Sequence, residues 1–103
     1  MASIYRGTTP ILTILCDFDV ASCEKLWVTF NQNKLAMTKE LPDIEYDGET
    51  ITVKFSQEET LMFDDTAGVV YVQIRGIDGY GNAFATNISS FDVNKILKEG
   101  VIG

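Results

Sequence analysis

The residues of this sequence that could do chemistry are few, and their spacing argues against most of what they could do. Asp17, Asp19 and the Asp64-Asp65 pair could offer oxygen ligands to calcium, but neither stretch has the ligand spacing of a calcium-binding loop. Solvated loop acids are the simpler reading. Histidine is absent, and Cys16 and Cys23 are a lone cysteine pair without the spacing of a common metal site. The two thiols could close a loop around Asp17–Ser22, but one pair in a chain with ordinary core content is not a disulfide scaffold, so two free thiols are expected. A cysteine nucleophile would lack its histidine partner. Gly76, Gly79 and Gly81 superficially suggest a phosphate loop, yet a strand rather than a helix N-terminus follows them, which predicts a hairpin loop. Glu58-Glu59 and the acids Asp43, Glu45, Asp47 and Glu49 could serve as acid and base only if held across a cleft, which so small a domain seldom has. Asn87-Ile88-Ser89 has the form of a glycosylation acceptor, which matters only in a secreted eukaryotic chain. No catalytic residue, metal site or cofactor is expected, and the chain reads as a non-enzyme. Trp27, Tyr71 and Tyr80 are the best small-molecule candidates, as a sugar-stacking platform, although aromatics on strands more often serve packing.

Composition sets the scaffold for these residues. A chain of 103 residues, 46% apolar, can bury one modest core, so residues 1–103 are expected to form a single β domain with short mobile ends. Eight basic against 15 acidic residues give a formal charge of −7, a field that repels nucleic acid and anionic membranes. The longest apolar runs fall far short of the roughly 20 residues that span a bilayer. The N-terminus lacks a basic segment followed by an apolar core, so no export signal is expected.

Short segments of period two, separated by turn residues, dominate the chain. Ser3–Arg6 reads as a short extended piece and Ile11–Cys16 as a strand. In Lys25–Asn31, Leu26, Val28 and Phe30 alternate with Trp27 and Thr29; Lys34–Lys39 follows as a hairpin partner. Asp47-Gly48 predicts a turn inside a hairpin from about Ile44 to Phe55. Val70, Val72 and Ile74 alternate with Tyr71, Gln73 and Arg75 in a strand expected near the middle of a sheet. The last strand is expected over Ala83–Ser89. Ser56-Gln57-Glu58-Glu59 fits a capping box, which predicts a helical turn through about Phe63, and Asp92–Glu99 reads as a short helical turn or loose tail. The set predicts an all-β protein, an antiparallel immunoglobulin-like β-sandwich with one short helical turn near residues 57–63. Its core should comprise Leu12, Ile14, Leu26, Val28, Phe30, Ile51, Val53, Phe55, Val70, Val72 and Ile74.

Several segments together suggest a family. Ile4-Tyr5-Arg6-Gly7-Thr8-Thr9-Pro10 ahead of the first apolar strand, Leu26-Trp27-Val28-Thr29-Phe30, Ser56-Gln57-Glu58-Glu59-Thr60-Leu61, Val72-Gln73-Ile74-Arg75 and the closing Lys98–Ile102 resemble small immunoglobulin-like structural proteins of tailed bacteriophages and prophages, of the baseplate or upper-tail type. The resemblance implies a virion structural protein that works by protein–protein contact in a tail or baseplate, assembled in the bacterial host cytoplasm and then carried in the virion. Its partners would be copies of itself, in a homo-oligomer, or neighbouring virion structural proteins, with no nucleic acid or membrane among them.

Sandwich edges carry unpaired backbone groups that another chain can use. The chain ends are the expected donors: Ile4, Tyr5 and Arg6 at one, Ile96, Leu97, Val101 and Ile102 at the other, with Ile4, Tyr5, Val101 and Ile102 exposed in a monomer. The alternatives are a carbohydrate-binding or adhesion module using Trp27, Tyr71 and Tyr80, and an acidic inhibitor that mimics nucleic acid.

Overall fold

Apolar residues at every second position form the strands of this protein, and the two faces so created decide how the sheets stack. The computed structural model describes residues 3–66 and 68–103. Its strands are β1 (Ser3–Tyr5), β2 (Ile11–Leu15), β3 (Cys23–Gln32), β4 (Leu35–Glu40), β5 (Glu45–Asp47), β6 (Thr50–Lys54), β7 (Val69–Asp78), β8 (Ala83–Ala85) and β9 (Ser89–Asn94). A single-turn helix, α1 (Gln57–Leu61), joins β6 to the run before β7. The larger sheet has the order β1-β9-β7-β3-β4, with β8 also beside β7, and the smaller has the order β2-β6-β5. The protein is an all-β sandwich.

One pairing departs from a purely antiparallel plan. β1 lies parallel to β9, with Ser3 opposite Asp92 and Tyr5 opposite Asn94. Parallel neighbours need a long crossover, and here the rest of the sandwich supplies it. The other ladders are antiparallel; β3 joins β7 with Phe30 opposite Val72, and β2 joins β6 with Thr13 opposite Thr52.

The core between the sheets follows the alternating sets. Leu26, Val28, Phe30, Ile51, Val53, Phe55, Val70, Val72 and Ile74 are all buried, whereas Leu12 and Ile14 are only partly covered because β2 is an edge strand. Six further apolar residues join them: Ile4, Val20, Ile44, Phe63, Phe91 and Val93. Phe30, Phe55, Phe63 and Phe91 form a closed circuit of edge-to-face rings with centroids 5.0–6.3 Å apart. Each buried Phe contributes about 1.5–3 kcal/mol by leaving water, and such ring pairs add about 0.5–1.5 kcal/mol.

Three sequence expectations are corrected. The last strand does not run over Ala83–Ser89; that stretch breaks into β8 and the start of β9, and β9 continues to Asn94 where a helical turn or loose tail was expected. Phe91 and Val93 point into the core and hold β9 in place. Gly76 lies inside β7 rather than in the turn, and a Cβ there would stand 2.7 Å from the Phe84 ring and 2.8 Å from the Lys25 carbonyl oxygen. Its bare Cα lets that ring close over the strand.

The helical turn forms as its capping box predicts. The Glu59 N–H donates to Ser56 Oγ at 3.1 Å, and the Ser56 N–H donates to Glu59 Oε1 at 2.9 Å. Lys39 of β4 pairs with Glu59 Oε2 and places its Nζ 5.7 Å from the centre of the Phe55 ring. Burial opposes ionisation of Glu59, but Lys39 and the Ser56 backbone outweigh it and hold the carboxyl below its ordinary range.

Candidate interaction site

Some of the terminal residues expected to reach for a partner are held within the chain, and others stay exposed. Ile4 is 6% exposed and faces the core, because pairing with β9 turns its side chain inward between the sheets; its expected exposure is corrected. Arg6 is a clamp: Nε donates to the Phe63 carbonyl at 2.7 Å, Nη2 to the Leu61 carbonyl at 3.1 Å, and Nη1 pairs with Glu99 at 2.8 Å. The Glu99 hydrogen bond raises its already high pKa against the opposing effect of burial. Those carbonyls belong to the end of α1 and the turn beyond it, so Arg6 ties the chain start, the helix and the C-terminal tail together. Gln57 exchanges two hydrogen bonds with the Ile102 backbone, each 2.8 Å. Ile96 is half-buried, with its Cδ1 beside Gly7. Tyr5, Leu97, Val101 and Ile102 keep exposed side chains, Leu97 at 96%.

The three aromatics proposed for ligand stacking are not one platform. Trp27 and Tyr71 share the outer face of the larger sheet, where Trp27 is opposite Arg75, Thr29 opposite Gln73 and Asn31 opposite Tyr71. Two shallow depressions on this face share Thr29, one beside Trp27 and the other beside Tyr71. The Trp27 indole N–H donates to Glu40 Oε1 at 2.9 Å, which fixes the ring. Tyr80 stands apart in the β7–β8 turn, 93% exposed.

The acids and thiols have local structural roles. Asp19 Oδ1 accepts from the Ala21 N–H and caps a short 3-10 turn, Asp64 Oδ1 accepts from the Thr66 N–H, and Asp78 Oδ1 accepts from the Tyr80 and Asn82 N–H groups. Those last two bonds hold the Asp78 carboxyl below its usual range. Cys16 and Cys23 are free thiols; burial first, then nearby acids, raises the pKa of both, which keeps them protonated and poorly nucleophilic. Among the described residues no three acids or cysteines are placed to hold a metal ion, and no helix is long and apolar enough to cross a membrane.

Sequence reasoning missed the β2 edge as a surface. β2 pairs with β6 and is the outer strand of the smaller sheet. The Phe55 N–H bonds to the Pro10 carbonyl and the Cys16 N–H to the Glu49 carbonyl, so even-numbered residues of β2 bond to β6. Ile11, Thr13 and Leu15 therefore aim their backbone groups outward, to the open side. Ile11 is 63% and Leu15 80% exposed, while Leu12 and Ile14 are partly buried on the other face. Beside the strand a groove of about 720 Å³ opens between the sheets, lined by Ile14, Phe18, Val72, Ile74 and Phe84 among others. No charge occurs between Gly7 and Cys16, a run legible in the sequence, but only the topology shows that this strand lies at an edge.

The fold and its surface define a β-sandwich with a free apolar edge strand. No family model matches the chain, and no curated protein matches it in sequence. A crystal structure of a "putative glycoside hydrolase" from Bacteroides vulgatus is similar to it over 95% of this chain, with a TM-score of 0.55 and 19% identity. The chain spans 17% of the length of that protein, and the likeness is one of fold.

Proposed function

We propose that this chain is a non-enzymatic structural module of a phage or prophage tail or baseplate, acting by protein–protein contact in the host cytoplasm during assembly and afterwards in the virion. The observation that carries the contact role is the uncharged β2 edge, whose outward backbone groups and exposed Ile11 and Leu15 suit another protein strand better than a small molecule. The resemblance of the Ile4–Pro10 and Ser56–Leu61 segments to tail structural proteins supplies the setting. The test is deletion of the coding region from the phage or prophage that carries it, followed by electron microscopy and mass spectrometry of the particles. Defective tails, and the protein present in wild-type particles, support the reading. Normal infectious tails, or its absence from wild-type particles, overturn it.

A second reading, carbohydrate binding, is favoured by one observation: Trp27 and Tyr71 lie on one open sheet face. Trp27 is the only tryptophan, so its fluorescence reports directly on that face. A saturable change with oligosaccharide, lost in Trp27→Ala, supports this reading; an unchanged spectrum across a glycan panel rejects it.

A further inference from the structure

We propose that β2 is the self-association edge of this protein, pairing antiparallel with β2 of a second copy about a two-fold axis at Thr13. The inference rests on the contact role above and names its partner and surface. Its first support is the strand itself: Ile11-Leu12-Thr13-Ile14-Leu15 has the same apolar-polar order in both directions. With Thr13 on the axis, Ile11 meets Leu15 of the partner subunit, Leu12 meets Ile14 of the partner subunit, and Thr13 meets its own copy. Such residue-for-residue reciprocity is what a two-fold interface requires.

The backbone agrees with that register. Ile11, Thr13 and Leu15 point their N–H and C=O groups away from β6, so the pairs centred on Thr13 are the hydrogen-bonded kind, each exchanging both bonds. On the outer face, exposed Ile11 and Leu15 cover one another across the seam, with a threonine pair between them. On the inner face, Leu12 and Ile14 gain the second layer of cover that an edge position denies them. The two small sheets become one continuous sheet, β5-β6-β2-β2-β6-β5, that carries the partner strand over the mouth of the groove beside Ile14.

Charge permits this contact although the chain carries −7. The nearest acid along the strand is Asp17, which falls opposite Thr9 of the partner subunit. The two Asp17 residues then lie eight positions apart along the seam, about 27 Å at strand rise. Salt screens such a separation, since the Debye length is about 8–10 Å. Of the other edges, β4 carries Lys39 and Glu40, β5 is Glu45-Tyr46-Asp47, and β1 and β8 have only three residues each. A five-residue seam is a small interface, below the roughly 1,200 Å² of standard stable complexes, so the dimer is reversible and is favoured at the high local concentration of an assembly.

The test uses the intact chain in sedimentation equilibrium up to about 1 mM, the weak end of specific binding, beside Leu15→Lys and Thr13→Cys. A dimer is expected, with Leu15→Lys weakening it by about tenfold or more through charge at the seam while its melting temperature in dilute, monomeric solution stays that of the parent. Thr13→Cys should cross-link two copies under mild oxidation, because hydrogen-bonded antiparallel partners place their Cα atoms about 5.5 Å apart, within disulfide range. Ala36→Cys on β4 should not. A dimer indifferent to Leu15→Lys, or a Thr13→Cys variant that cross-links no more than the Ala36→Cys control, overturns the β2 seam, as does a chain that stays monomeric throughout. The particle experiment judges the contact role separately, so either can fail alone.

Discussion

Single side chains here substitute for missing secondary structure. Gln32 is buried at the end of β3, and its amide donates to the Asp64 carbonyl and accepts from the Asp64 N–H, both at 2.6 Å. One side chain thus mimics a strand neighbour for the run between α1 and β7. Thr60 does the same for Thr8, donating to its carbonyl at 2.9 Å and accepting from its N–H at 3.1 Å. Gly76 makes the opposite contribution, by having no side chain. Gly76→Ala is expected to cost at least about 1–3 kcal/mol, the range for overpacking a filled core, read as a lower denaturant midpoint at unchanged slope. Phe84→Ala in the same background should recover part of that loss, because the ring is the moveable half of the clash. Gln32→Leu is expected to lose about 1–3 kcal/mol with the two amide bonds.

At the scale of elements, α1 is too short to persist alone, and its capping box together with Lys39 holds it against the sheets. Glu59 has its pKa depressed by folding, so it stabilises the fold above the ordinary glutamate range and loses that contribution as pH falls through its folded-state pKa. Glu59→Gln should therefore be less stable than the parent at pH 7 by about 1 kcal/mol, in line with other cap losses. The gap should narrow as pH falls below the ordinary glutamate range and through the lowered folded-state pKa, where the parent carboxylate becomes protonated. Thermal melts of both proteins from neutral to acid pH check this.

The capping box was legible because its four residues are consecutive, and β3, β6 and β7 were legible because Val and Ile or Phe alternate strictly. β9 was not. Ser89-Ser90-Phe91-Asp92-Val93-Asn94 has only two apolar residues in a polar segment, and its place is set by β7 and β1, far away in sequence. Val20, inside one short 3-10 turn, and Ile44, just after another, gave no period to read. For the interaction site, the uncharged run through β2 was visible, but edge position is a property of the whole topology. The chain ends were read as the free donors because nothing local tells that Arg6 meets Phe63 or that Gln57 meets Ile102.

At the scale of the molecule, stability is concentrated between the sheets, where the four-phenylalanine circuit joins β3, the ends of β6 and α1, and β9. Val72, opposite Phe30, sits at its flank and is 5% exposed. Val72→Asp is expected to unfold the protein at room temperature, since an unpaired buried carboxylate costs several kcal/mol, comparable with a total stability of about 5–15 kcal/mol. Circular dichroism and one-dimensional proton spectra report it directly.

The parallel pairing of β1 with β9 also decides how the sandwich answers to pulling. Tension applied at the two chain ends drags β1 toward its own start and β9 toward its own finish, so the strands must slide past one another lengthwise. The hydrogen bonds of Ser3–Arg6 with Asp92–Asn94 are then loaded together, and the Arg6 clamp with them, rather than opened one at a time like a zipper. Force applied instead between the β3–β4 turn and the C-terminus would peel edge strand β4 from β3 pair by pair. The same fold is therefore expected to resist pulling along the line through its ends more than across it.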